Sequence, residues 1–303
     1  MTYPTPGTIG QIESLPSFKK EKQLPTMINL QNIKFGYRKK QTLFDDLNLH
    51  IPAGNIYGLL GRNGAGKTSL LKLISGLVFP KEGSIEVLGH EPKDRLPSFL
   101  SDIYFIPEEL HIPNMSIARY EKMYAPFYPK FDHAQFHQYL QDFELTPDKK
   151  MTGLSYGQKK KVITGFGLAT NSRLLILDEP TNGLDIPSKS LFRKLLAGAI
   201  TDDRTFIIST HQVLDMGNLM DPIIILDNGK IIFQQALEAI TRRLSFELSH
   251  SFVEPENALY AERVPGGYLV IYENNESEET EVDIEVLFNA IVSNQSQFQK
   301  LFK

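Results

Sequence analysis

The chain has 303 residues, which gives room for one large globular domain and a small addition. Hydrophobic residues account for 41% and charged residues for 22%, the usual proportions of a globular protein. The absence of cysteine excludes disulfides and thiolate chemistry, and the formal net charge of −4 gives no reason to expect a nucleic acid as partner. No apolar run approaches the roughly 18 residues that span a bilayer, and the first residues lack the pattern of a signal peptide. We therefore expect a cytoplasmic protein.

The pattern of the chain changes sharply at Met27. Residues 1–26 contain four prolines among polar residues and predict a flexible lead. Residues 27–37 then alternate between apolar and polar as a half-buried strand does, and residues 43–51 predict a second strand. The ring of Tyr37 has two interpretations that the local sequence leaves open, a platform for a nucleotide base or an ordinary strand aromatic.

A glycine-rich loop follows the apolar residues 56–60, which predict a short buried strand. The loop and the residues after it have the pattern G-x-x-x-x-G-K-T. Glycines let successive backbone N–H groups point into one concavity, and the following helix adds the positive end of its dipole. Lys67 can reach the outer phosphates, and the Thr68 hydroxyl can bind Mg²⁺. The predicted nucleoside triphosphate site consists of Gly61, Arg62, Asn63, Gly64, Ala65, Gly66, Lys67, Thr68 and Ser69.

The next part of the chain predicts strands and then helices. The helix after the loop should present one apolar face, made of Leu70, Leu73, Ile74 and Leu77. Residues 83–89 and 102–106 predict two more strands, the second of which leads to Glu108. Residues 115–143 are helical in pattern and rich in aromatic residues. We expect most of these rings in the core and a minority in a groove for a partner's helix.

A further helix is predicted to begin at Ser155. Ser155 and Gln158 have the spacing of a capping box, which is a purely structural explanation of both residues. The three lysines at 159–161 predict a solvated face.

Two carboxylates follow the apolar residues 174–177. Asp178 and Glu179 come at the end of a predicted buried strand, where twin acids are costly unless they meet a cation or a catalytic water. We expect Asp178 to hold Mg²⁺ and Glu179 to accept the proton of an attacking water. Residues 206–211 predict one more buried strand, which ends in His211, and a lone histidine at such a place is usually structural.

The last part of the chain predicts a hairpin and then a small separate unit. Residues 222–226 and 230–233 predict a hairpin about an Asn-Gly turn. Three short strands, a glutamate-rich loop at 273–281 and a helix capped by Asp283 then predict a small α/β appendage over residues 241–303. No residue set in the appendage suggests chemistry.

Together these segments resemble an ATP-binding-cassette (ABC) ATPase over about residues 27–240. The glycine-rich loop matches the Walker A motif, and residues 174–179 match Walker B with its catalytic glutamate. Residues 182–185 resemble the D-loop, with Asp185 at its end. His211 resembles the switch histidine, and Tyr37 matches the aromatic that stacks on adenine. The family's Leu-Ser-Gly-Gly-Gln signature corresponds to Leu154, Ser155, Tyr156, Gly157 and Gln158.

The resemblance implies an α/β fold. It consists of a P-loop NTPase core with an antiparallel β subdomain, a helical subdomain at about residues 110–165, and the C-terminal appendage. It also implies that two copies face head to tail, each ATP being held by one subunit's phosphate loop and the other's signature. In this arrangement Glu179 is the base and His211 positions the γ-phosphate, while Mg²⁺ and Lys67 offset charge. A homodimer is expected because the chain carries one cassette with both acids.

The implied function is that of the ATP-hydrolysing subunit of an ABC transporter. Such a subunit lies on the inner face of the cell membrane through a separate permease, and the appendage and signature variant favour export. The alternatives are a soluble ABC ATPase for assembly or repair, and a nucleotide-binding scaffold with weak turnover.

Two residues depart from the family pattern. Tyr156 places a bulky ring where a glycine lets the backbone approach phosphate, and we expect a tolerated variant. Glu108 replaces a glutamine that binds Mg²⁺ and senses the transport partner, so Glu108 joins Thr68 and Asp178 as a candidate metal ligand. We expect this replacement to change coupling more than ATP binding.

Overall fold

The computed structural model describes residues 25–38, 41–216, 219–250, 258–274 and 280–302. The predicted lead, apart from its last two residues, and the centre of the glutamate-rich loop lie outside these ranges. In the described ranges the strands are β1 (Thr26–Phe35), β2 (Phe44–Pro52), β3 (Ile56–Leu60), β4 (Glu82–Val87), β5 (Ile103–Ile106), β6 (Leu174–Asp178), β7 (Thr205–Thr210), β8 (Ile223–Asp227), β9 (Lys230–Gln235), β10 (Leu244–Ser249), β11 (Ala258–Val264) and β12 (Gly267–Glu273).

The helices in the same ranges vary from one turn to four. They are α1 (Lys67–Ile74), α2 (Pro97–Leu100), α3 (Ile117–Tyr124), α4 (His133–Asp142), α5 (Tyr156–Ala169), α6 (Ile186–Ala199), α7 (Leu237–Thr241), α8 (Ile284–Ser293) and α9 (Gln295–Leu301). None of these described helices is both long and apolar enough to cross a bilayer.

A six-stranded sheet in the order β5-β6-β7-β3-β8-β9 forms the centre of the fold. Its first five strands are parallel, and β9 runs antiparallel to β8 at the edge. Alternate residues of a strand point to opposite faces, so β6 contributes to two cores. Leu175 and Leu177 enter one core, and Leu174 and Ile176 enter the other. Because both faces are covered, β3, β6 and β7 are buried over their whole length.

The second of these cores lies beneath an antiparallel sheet in the order β2-β1-β4. Alternating residues of β1 and β2 are buried in it together with the apolar face of α1. This is the antiparallel β subdomain that the sequence predicts. The fold class is therefore confirmed.

The aromatic residues of the helical segment pack around the ring of Phe166 in α5. The ring centroids of Tyr120, Phe131 and Phe136 lie 5.0, 4.8 and 5.6 Å from that of Phe166. Offset and edge-to-face pairs at these distances stabilise a core beyond their area of burial. Phe127 is the exception among the predicted core rings, since 68% of its surface is exposed.

The predicted apolar face of α1 is wrong at Leu77. The helix ends at Ile74, and Gly76, with φ +67°, follows in the left-handed conformation. The Gly76 N–H donates to Leu73 O (3.1 Å) and the Leu77 N–H to Lys72 O (2.9 Å), which is the hydrogen-bond pattern of a Schellman ending. Leu77 therefore lies beyond the helix and is half-exposed.

The C-terminal segment shares the core of the central sheet. Its strands form an antiparallel sheet in the order β10-β12-β11. Leu287 of α8 and Phe298 of α9 are buried in the cluster that also holds Leu175 and Leu177. At the chain end, the Phe302 ring contacts the Phe233 ring of β9 at 5.1 Å. The predicted boundary near residue 241 thus divides residues that pack against one another.

The shared core predicts that α8 stabilises the whole protein. Leu287→Ala should lower the free energy of unfolding by about 2–5 kcal/mol, because it leaves a cavity under a fully buried side chain. Leu248→Ala, at a half-exposed leucine of β10, is the matched control and should cost less than about 1 kcal/mol. Urea unfolding measures both changes, and equal losses would contradict the shared core.

Candidate nucleotide site

Glycine is required at two positions of the loop between β3 and α1. A Cβ atom at Gly61 would lie 2.5 Å from the carbonyl oxygen of Leu226, and one at Gly66 would lie 2.7 Å from the Phe44 ring. Gly66 also has φ +110°, which side chains rarely tolerate. It is the residue before α1 and offers no side-chain cap, and the first turn of α1 has no acidic residue. The start of α1 is therefore suited to bind an anion.

The side chain of Lys67 reaches back across this loop and is buried. Its Nζ donates to the Gly61 carbonyl at 2.8 Å and lies 3.6 Å from Glu179 Oε1. A buried ammonium needs such partners because its desolvation is expensive. The lysine thus sits at the loop with its charge directed to the end of β6.

Asp178 is buried and accepts two hydroxyl hydrogen bonds. Thr68 Oγ1 donates to Oδ2 at 2.7 Å, and Ser209 Oγ donates to Oδ1. Hydroxyl and carboxylate oxygens this close are the hard donors that Mg²⁺ prefers. The described residues hold no group of three or more His, Asp or Glu side chains suited to a metal.

Glu179 adopts a left-handed backbone conformation, with φ +47°. For a residue other than glycine this costs roughly 1–2 kcal/mol. Its N–H donates to the Ser209 carbonyl at 3.1 Å. Its carboxylate lies 2.8 Å from His211 Nδ1 through Oε1 and accepts from the His211 N–H through Oε2 at 3.4 Å. The structure therefore brings two of the three predicted catalytic residues, Lys67 and His211, to the carboxylate of the third, Glu179.

Glu108 lies beside the segment that follows β6. Its Oε1 accepts from Asn182 Nδ2 at 3.2 Å, and its carbonyl oxygen accepts from the Tyr156 hydroxyl at 2.7 Å. The side chain is exposed. The role of Glu108 as a metal ligand stays a prediction.

Tyr37 presents an exposed ring near the start of α1. Its hydroxyl lies 3.1 Å from Ser69 Oγ, and its ring meets the Phe35 ring edge-on at 5.0 Å. With 64% of the residue exposed, one side of the ring is free of the core. The stacking of Tyr37 on a nucleotide base stays a prediction, and the exposed ring is compatible with it.

The signature residues begin α5 through a complete capping box. The Gln158 N–H donates to Ser155 Oγ at 3.2 Å, and the Ser155 N–H donates to Gln158 Oε1 at 3.0 Å. The Tyr156 ring lies over Gly183, where a Cβ atom would be 2.6 Å from it. The bulky ring at the third signature position thus packs on its own chain.

Asp185, at the end of the predicted D-loop, caps α6. Its Oδ1 accepts from the Ser188 N–H at 2.9 Å, and hydrogen bonding to Ser188 lowers the pKa of the carboxyl. Ile186, the first residue of α6, is 83% exposed.

The predicted solvated lysine face is wrong at Lys160. Only 1% of this residue is exposed, and its Nζ donates to the Glu179 carbonyl. Burial lowers the pKa of Lys160 to about 8, against the opposite effect of the Glu108, Glu179 and Asp178 carboxylates. The helical spacing could have indicated this burial, because Lys160 lies one turn before Ile163 on the same face of α5, and Ile163 is buried.

Phe288 of the C-terminal segment is a second residue that sequence reasoning missed. It lines a cavity of about 240 Å³ beside the start of the phosphate loop and the end of β7. The other lining residues are Leu60, Gly61, Arg62, Asn63, Thr210, His211 and Val213. The appendage therefore forms part of the wall next to the candidate site.

Comparisons with known proteins identify the family of this chain. A family model described as ABC transporter matches residues 44–182. The chain is 30% identical over 218 residues to the lantibiotic transport ATP-binding protein SrtF of Streptococcus pyogenes, covering 69% of this chain and 90% of that protein. It is 29% identical over 229 residues to the Nod factor export ATP-binding protein I of Neorhizobium galegae, covering 69% of this chain and 62% of that one.

A solved structure shows the same fold. It is a dimeric ATP-binding cassette in a post-hydrolysis state with bound ADP and phosphate, matched with a TM-score of 0.62 and 22% identity over 69% of this chain and 98% of that chain. The resemblance predicted from the motifs is thereby confirmed. The chain belongs to the family of ABC transporter ATP-binding proteins.

Proposed function

We propose that this chain binds and hydrolyses ATP. The observation that carries the proposal is the cluster in which Glu179 Oε1 lies within 3.6 Å of Lys67 Nζ and 2.8 Å of His211 Nδ1. Lys67 belongs to the phosphate loop, so a triphosphate bound there competes with Glu179 for its charge. Loss of that partner leaves a buried carboxylate able to accept a proton.

The residues divide the chemistry of an in-line attack on the γ-phosphate among them. Glu179 accepts the proton of the attacking water, and His211 positions the γ-phosphate. Lys67 and the loop N–H groups stabilise the negative charge that shifts towards the leaving group. Thr68 and Asp178 would hold Mg²⁺, with Glu108 as the further candidate ligand. When bound, Mg²⁺ would supply charge neutralisation and orientation of the phosphates.

The proposed active form is a homodimer with its subunits head to tail. The signature residues contact Glu108 and Gly183 of their own chain, and they begin a helix of 14 residues whose N-terminal dipole favours a phosphate. A γ-phosphate on the partner's phosphate loop is the ligand that suits this end. Exposed Ile186 near the D-loop and the dimeric state of the similar solved cassette support the same arrangement.

We further propose that the dimer drives export through a separate permease on the inner face of the cell membrane. The support is the naming of two relatives for lantibiotic transport and Nod factor export. Exposed Met123 in the last turn of α3 and exposed Phe127 just beyond it offer apolar surface for a membrane partner. The alternatives are a soluble assembly or repair ATPase and a weakly active scaffold.

Substitution of the base tests the proposed hydrolysis. Glu179→Gln should retain ATP binding but slow turnover by about two to four orders of magnitude, because the amide cannot accept the proton. It should accumulate an ATP-bound dimer in size-exclusion chromatography. Lys67→Ala is the contrasting variant and should weaken ATP binding itself. Turnover of Glu179→Gln at the wild-type rate would refute the assignment of the base.

A Mg²⁺ titration tests the proposed role of Glu108. The carboxylate is a stronger Mg²⁺ ligand than an amide and repels nucleotide phosphate when the metal is absent, so both effects steepen the metal dependence. Glu108→Gln should therefore show a shallower rise of ATPase rate with Mg²⁺ at fixed ATP. Because its amide oxygen can still accept from Asn182, the local bond is kept. Glu109→Gln is the neighbouring control. A Mg²⁺ curve for Glu108→Gln that superimposes on that of the wild type would contradict a metal-binding role and leave Glu108 only its hydrogen bond with Asn182.

Purification from detergent-solubilised membranes tests the proposed permease. The tagged chain should retain an integral membrane protein at a fixed ratio to the homodimer, and the ATPase rate should change when that protein is removed. Recovery of the chain only as a free dimer, with unchanged turnover, would favour the soluble ATPase.

A further inference from the structure

Lys160 is a buried cation that the proposed chemistry leaves unused. It lies in the second turn of α5, and its neighbours Lys159 and Lys161 are only partly buried. Lysine is almost never fully buried unless it is paired, because removing the ammonium group from water is costly. The Tyr156 ring lies 5.5 Å from its Nζ and shields it from one side. Such a residue is expected to have a specific partner.

That partner is the backbone carbonyl of Glu179. The Lys160 Nζ donates to this oxygen, and the Glu179 N–H donates to Ser209. The backbone on both sides of the Glu179 Cα atom is therefore held by hydrogen bonds from two different elements, α5 and β7. Between these two bonds the residue has φ +47°, a conformation that needs support from its surroundings.

The direction of the Glu179 side chain depends on this conformation. At a fixed rotamer, a change of φ from the left-handed to an extended value swings the carboxylate away from its present place. The 2.8 Å contact with His211 and the approach to Lys67 would then be lost. Reacting groups must be placed within a fraction of an ångström, and a displacement of about 1 Å can cost about 100-fold in rate.

We propose that Lys160 is a positioning residue that holds Glu179 in the left-handed conformation in which it acts as base. The proposal rests on the proposed ATP hydrolysis. Lys160 touches the main chain of the base and acts through it. Because α5 begins at the signature, the same bond fixes the signature helix to the base of its own subunit.

Three substitutions at Lys160 separate the hydrogen bond from the charge. Lys160→Met keeps the length without a donor, Lys160→Gln keeps a neutral donor, and Lys160→Arg keeps donor and charge. We expect Lys160→Met to lower kcat about 10- to 100-fold while the KM for MgATP stays within about twofold of wild type. Lys160→Arg, and to a smaller degree Lys160→Gln, should recover turnover. Lys159→Met is the matched control and should retain wild-type kcat.

Thermal unfolding and fluorescent-ATP binding distinguish positioning from folding. Lys160→Met removes the desolvation cost of the ammonium but also one donor to the Glu179 carbonyl, which keeps the Asn182 N–H as a donor, so Tm should stay near the wild-type value. A slow variant of unchanged Tm and nucleotide affinity supports positioning. Wild-type kcat in Lys160→Met would overturn it, as would a fall in kcat matched by a fall in Tm. A wild-type chain that lacks MgATP hydrolysis would instead refute the proposed function.

Discussion

Two adjacent buried carboxylates at the end of β6 are the constraint on which the site depends. Asp178 and Glu179 are nearly inaccessible to water, and a buried charge without partners costs several kcal/mol, about as much as a domain's margin of stability. Their partners come from separate parts of the chain. Thr68 and Lys67 reach them from α1, and Ser209 reaches Asp178 from β7. The strand order places β6 beside β7 and β7 beside β3. The sheet therefore brings these groups together at the carboxyl ends of its parallel strands.

The same arrangement compensates the buried charge of Lys67 within the candidate site. Lys67 Nζ donates a hydrogen bond to the Gly61 carbonyl and forms an ion pair with the Glu179 carboxylate, so its charge is compensated inside the loop. A triphosphate offers stronger anionic partners at the same place. Under the proposed function, binding of a triphosphate would therefore replace Glu179 as the anionic partner of Lys67. The appendage lies close to this exchange, since Phe288 of α8 lines the cavity beside His211.

The sequence was sufficient for the parts of the site that are local. The phosphate loop, the twin acids and the capping box at Ser155 each lie within a few consecutive residues, so residue type and spacing are enough to identify them. Lys160 was mispredicted because its burial depends on the segment after β6, which is distant in sequence. Phe288 was missed for the same reason, since the packing of α8 against the helical turn Val213–Asp215, which follows β7, brings it to the site. Leu77 was misplaced because the Schellman ending at Gly76 stops the helix one turn earlier than the apolar pattern suggests.

A crystal structure with Mg²⁺ and a non-hydrolysable ATP analogue tests the central claim most directly. The account predicts the β- and γ-phosphates inside the loop formed by residues 61–68, with Lys67 Nζ within hydrogen-bond distance of them and no longer bound to the Gly61 carbonyl. Glu179 should keep its left-handed backbone and face the γ-phosphate. An analogue bound elsewhere, or phosphates in the loop with Lys67 still on Gly61 and Glu179, would contradict it.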